Sequence, residues 1–187
     1  MRPVRREEIL ELSAYERSRA EIRAAVLEAK KVRRVHVAGV LNFLFENTAT
    51  IRYQIQEMVR AERMQGEAEM GHELETYNEL LGAKGELGVS LLIEIPEPEE
   101  RDRRLREWLA LPGHLYLLTE DGEKVRPRFD PRQVGTDRLS SVQYLKFDVR
   151  GRVPTAAGSD LPQLQSETPL GPEQRAALAA DLETDAR

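Results

Sequence analysis

Glu86-Leu87-Gly88-Val89-Ser90-Leu91-Leu92-Ile93-Glu94-Ile95, closed by Pro96-Glu97-Pro98, is the stretch on which the fold reading turns. Leu87, Val89, Leu91, Ile93 and Ile95 occupy every second position, and Gly88, Ser90 and Glu94 fall between them. That period of two belongs to a β-strand with one buried face. Upstream, Met70, Leu74, Tyr77 and Leu81 recur at helical spacing until Gly82, and Gly66 separates them from Ile51, Ile55, Met58 and Val59. Two amphipathic helices therefore precede the strand, the first starting at Asn47-Thr48. Further back, Val35, Val37, Leu41, Phe43 and Phe45 alternate around Gly39, which predicts one strand with a bulge. A long helix is expected from Ser13, which forms a capping-box pattern with Glu16, to about Arg33.

Downstream, Pro98 opens a helix with an acidic first turn, anchored by Leu105, Trp108 and Leu109 and closed by Pro112-Gly113. His114–Leu118 is a short apolar run, and Asp121-Gly122 signals a hairpin. Its returning strand, Lys124–Phe129, contains Pro127 and belongs at a sheet edge. A last strand is expected over Ser141–Val149. Helices and strands in this order predict an α+β fold, an antiparallel or mixed sheet of about five strands with three to four helices mainly on one face. Residues 1–150 form the expected domain. From 151 to 187 the composition shifts to Gly, Pro, Ser, Thr and Ala, which reads as a flexible tail with a short helix over Pro172–Leu182.

The 187 residues carry 28 Lys and Arg against 33 Asp and Glu, and hold no cysteine. A thiol nucleophile, a disulfide framework, a cluster on the chain's own thiolates and a Cys-type zinc site are thereby excluded. Met1 to Glu8 runs directly into charge, with no apolar segment of a secretory signal, so a cytoplasmic protein is expected. Val35–Phe45 is too short to span a bilayer.

Polar density peaks between Phe45 and Arg63. Tyr53, Glu57 and Arg60 share a helix face, with Gln54 beside them, and such a set suits an anionic ligand or a metal as well as ordinary surface pairing. Glu69-Met70-Gly71-His72 has the spacing of half a di-iron motif, but no second copy exists. No HExxH, P-loop, GxGxxG or GxSxG sequence is present, so no reaction, metal site or cofactor is specified. Lys30-Lys31-Val32-Arg33-Arg34 is the one basic run suited to nucleic acid, although no aromatic residue is interleaved with it.

Phe45-Glu46-Asn47, Gln54-Ile55-Gln56-Glu57-Met58, Arg60-Ala61-Glu62-Arg63, Glu73-Leu74-Glu75-Thr76-Tyr77-Asn78, Glu86-Leu87-Gly88 and Ser140-Ser141-Val142-Gln143-Tyr144-Leu145-Lys146-Phe147 together resemble a bacterial family known as a domain of unknown function. Members of that family are often encoded beside a rubrerythrin-like di-iron protein and an iron–sulfur protein of the heterodisulfide-reductase type. The resemblance therefore implies a non-enzymatic accessory or interaction protein, with an iron-dependent redox protein as its partner. The matching polar residues are Glu46, Asn47, Gln54, Gln56, Glu57, Arg60 and Glu62, and Gln143 and Tyr144 of the last strand complete the candidate binding set. Two alternatives stand beside it: a small metal- or anion-binding enzyme using Glu57, Arg60 and Glu62, and a nucleic-acid-binding protein using Lys30–Arg34. A homodimer is compatible with the helical surfaces.

Overall fold

The computed structural model describes residues 1–64 and 66–183. Chain order is α1 (Leu12–Lys31), β1 (Arg34–Val37), β2 (Leu41–Glu46), α2 (Thr48–Ala61), α3 (Glu67–Asn78), β3 (Glu86–Ile93), α4 (Pro98–Glu107) and α5 (Leu111–His114). There follow β4 (Leu115–Leu118), β5 (Lys124–Val125), β6 (Val142–Asp148), β7 (Ala156–Ser159), β8 (Ser166–Pro169) and α6 (Pro172–Glu183). The protein is α+β. Among the described residues, no helix is long and apolar enough to cross a membrane.

Instead of one sheet of about five strands there are two antiparallel sheets of four, ordered β1-β2-β3-β6 and β5-β4-β7-β8. The expected bulged strand over Val35–Phe45 is a hairpin. Val37 pairs with Leu41 across a connection in which Ala38 and Gly39 both adopt positive φ, 53° and 73°. The short β5 lies at a sheet edge, as the nearby proline requires.

Register separates the faces of the first sheet. Val35, Phe43, Leu91 and Gln143 form one row across the four strands, and Phe45, Val89 and Leu145 lie in another on the same face. Arg34, Leu44, Ser90 and Tyr144 form a row on the opposite face. The apolar face joins Leu115, Leu117 and Ala157 of the second sheet, Leu105 and Trp108 near α4, and Leu178 and Leu182 of α6 in one continuous core. That core also takes in Ile51, Ile55 and Val59 of α2 with Met70 and Leu74 of α3.

The segment from residue 151 is not a tail appended to the domain. It supplies β7, an interior strand of the second sheet, then β8, and then α6, whose Leu178 is fully buried. Residues 184–187 lie outside the described residues. The expectation failed because Ala156-Ala157-Gly158-Ser159 lacks the bulky side chains that mark a strand. Here smallness is required, since a Cβ on Gly158 would lie 2.5 Å from the Tyr116 ring opposite it.

Both edges of the first sheet are covered by side chains and loops. On β6, the Gln133 amide accepts from Tyr144 N at 2.7 Å and donates to Tyr144 O at 3.2 Å, standing in for a strand. Arg128 bridges Lys146 through the backbone. On β1, Gln174 Nε2 donates to Arg34 O and Thr168 Oγ1 donates to His36 O. Such caps blunt the pairing template that a bare edge presents.

Candidate functional site

Helices α1 and α2 run antiparallel, since Lys30 lies by Tyr53 at one end of their seam and Glu16 by Arg60 at the other. The predicted face of α2 is used along this seam. Glu57 accepts from the Tyr15 hydroxyl at 2.5 Å and from Arg19 Nε and Nη2 at 2.8 Å each. The fork of Arg19, assisted by Tyr15, holds the Glu57 carboxyl down at about 2. Burial, and next the bond to Glu57, pushes the Tyr15 phenol well above its ordinary value. Arg60 pairs with Glu16 at 3.0 Å. Gln56 is buried and clamps Leu10 through both ends of its amide, at 2.8 and 3.0 Å.

A second polar group surrounds Glu46 at the end of β2. Its buried carboxylate accepts from Thr50 Oγ1 at 2.5 Å and from Ser90 Oγ at 2.7 Å. Asn47 caps α2, accepting from Thr50 N, while its Nδ2 donates to Asp181 of α6 at 3.1 Å. Asp181 is also held in a fork by Arg33, at 2.7 and 3.0 Å. Burial lowers the Lys30 ammonium against the attraction of Glu46, and Lys30 stands 5.7 Å from the Tyr53 ring centroid.

The predicted residues therefore fall into separate places. Glu57 and Arg60 join the α1–α2 seam, whereas Glu62 is exposed at the C-cap of α2. Gln54 is half-buried on α2. Gln143 is fully buried, donates to Ser140 O at 2.9 Å and faces the apolar core, while its neighbour Tyr144 points the other way and is 42% exposed. The basic run is also divided. Lys31 pairs with Glu28, Arg33 with Asp181, and Arg34 buries its Nε, so these side chains form no continuous strip. Among the described residues, no group of three or more His, Asp or Glu is placed to hold a metal ion.

One cluster was missed by sequence reasoning. On the outer face of the second sheet, His114 Nδ1 lies 3.0 Å from Asp160 Oδ1, and Arg126 bridges the same carboxylate. Tyr116 donates to Glu167 at 2.9 Å and lies beneath Lys124 and Arg126, whose cationic groups are 4.1 and 5.5 Å from its ring centroid. Burial, then the bond to Glu167, pushes the Tyr116 phenol up to about 12. Arg126 holds the Asp160 carboxyl well below its usual range. The hairpin signal at Asp121-Gly122 contained part of this arrangement, because pairing outward from Leu118 and Lys124 sets Arg126 against Tyr116. Asp160 comes from a segment that read as linker.

The family described as "Protein of unknown function (DUF3501)" matches residues 3–182. A crystal structure of a novel protein of unknown function from Burkholderia pseudomallei is similar at a TM-score of 0.88 and 28% identity. That match covers 97% of this chain and 100% of the other. No curated protein matches.

Proposed function

We propose that this chain, which belongs to the DUF3501 family of proteins of unknown function, is an accessory protein that acts by docking onto a partner. The partner class is an iron-dependent redox protein of the rubrerythrin-like or iron–sulfur kind, in the cytoplasm. That class rests on the sequence resemblance.

The observation that carries the docking reading is the work the polar candidates do inside the fold. Glu57, Arg60, Gln56, Asn47 and Glu46 each tie one element to another. Tyr144 is the exposed aromatic of the candidate set. It lines a groove of about 610 Å³ between α3 and β6, with Leu80, Phe129, Arg128 and Lys146 around it. Aromatic and arginine side chains at the centre of a surface groove are the usual anchors of a protein interface.

The test is affinity capture from the native host with the wild-type chain and with Tyr144→Ala, followed by iron analysis of what is retained. An iron-containing protein retained by the wild type and reduced at least tenfold by Tyr144→Ala supports the reading. Recovery of this chain alone, or of a second copy of it alone, overturns it.

A further inference from the structure

A cavity of about 210 Å³ lies between α1 and α2, walled by Ile22 and Val26 of α1, Ala49 of α2 and Leu10 of the preceding segment. Its polar lining divides into groups already satisfied and groups that are not. The Tyr15 hydroxyl is taken by Glu57, and the Gln56 amide by Leu10. The Glu8 carboxylate is held by both Arg2 nitrogens at 2.7 Å and by Arg5 N at 2.9 Å.

Arg52 is left with little. Its one ion pair among the described residues is a loose 3.9 Å approach to that same Glu8. The Tyr53 hydroxyl makes no hydrogen bond among the described residues, and it reaches space that is not sealed, since it is absent from the buried atoms lacking a partner. Lys30, half-buried over the Tyr53 ring, has neither an ion pair nor a hydrogen bond among the described residues. Arg52 and the Tyr53 phenol thus border the cavity without full partners, opposite its apolar wall, and Lys30 stands over the Tyr53 ring outside the lining. Donors in such surroundings gain most from an anionic acceptor that brings an apolar body with it.

We infer that this cavity binds a small monocarboxylate with a short aliphatic or aryl body. The carboxylate meets Arg52 and the Tyr53 hydroxyl, and the body lies on Ile22, Val26 and Ala49. At about 30 Å³ per water the cavity holds about seven waters, so a body of about six to eight non-hydrogen atoms fits. This site stands independently of the docking groove at Tyr144, which lies on other elements.

Titration of hexanoate into the full chain, followed by backbone amide NMR, tests the inference. Saturable shifts are expected at Val26, Ala49 and Tyr53, with hexan-1-ol at least fivefold weaker. Arg52→Gln should weaken hexanoate about tenfold. Ala49→Leu, which fills the cavity, should abolish binding. Arg52 is half-exposed, so its variant keeps the test decisive if Ala49→Leu does not fold. Absence of saturable shifts up to about 50 mM hexanoate, equal binding of the alcohol, or undiminished binding to Arg52→Gln would each overturn it.

Discussion

Arg33 and Asp181 have side chains only 11% exposed each, so this ion pair has lost most of its water. A pair in that position adds little net stability over an apolar replacement, but removing one partner strands the other. Asp181→Ala should therefore cost about 3–5 kcal/mol, read as a lower urea midpoint at unchanged slope. Asp181→Asn, which keeps an acceptor for Arg33, should cost less. Glu57 makes a prediction about pH. Its folded value of about 2 lies below the ordinary 4.5, so its contribution is present above about pH 4.5 and is lost as pH falls toward 2. Glu57→Gln should lower stability by about 1–2 kcal/mol at neutral pH and flatten the acid limb of the stability profile. A wild-type acid limb that survives in Glu57→Gln would assign the loss to other carboxylates. Spacing alone showed that Glu57 and Arg60 share a face of α2. It did not show that α1 supplies their partners, because Tyr15, Glu16 and Arg19 lie about forty positions away.

Among the elements, the β1–β2 hairpin shows why part of the fold was not legible. Val35 and Val37 precede the turn, and Leu41, Phe43 and Phe45 follow it, all at odd positions. A three-residue connection preserves that parity, so one unbroken strand running through Gly39 and a hairpin produce the same alternation. The clean strand at Glu86–Ile93 carried no such ambiguity. Ala38 occupies the left-handed region, where a residue with a Cβ is strained by about 1–2 kcal/mol. Ala38→Asn, which tolerates that region, should raise stability by about 0.5–1 kcal/mol in a thermal or denaturant melt. At the opposite edge, Gln133→Ala would leave the Tyr144 N–H and C=O without their side-chain partner. The expected outcome is a greater tendency to associate through β6, measured by light scattering at concentrations where the wild type stays monodisperse.

For the whole molecule, the second sheet and α6 make residues 151–183 part of the core. A chain stopped at Arg150 would lose β7 from the middle of that sheet, together with Ala157, Leu178 and Leu182. It should fail to give a cooperative melt, whereas a detachable tail would leave the melt unchanged. Folding also acquires an order in time from this arrangement. The first three strands of the first sheet are complete by Ile93, but β6 joins them only after an excursion through α4, β4 and β5. The Arg33–Asp181 fork joins positions 148 residues apart. During synthesis the apolar face around Phe43 and Leu91 therefore waits uncovered until nearly the whole chain has been made. Apolar surface left open in this way is prone to aggregate, and the core closes only after α6 is free to dock.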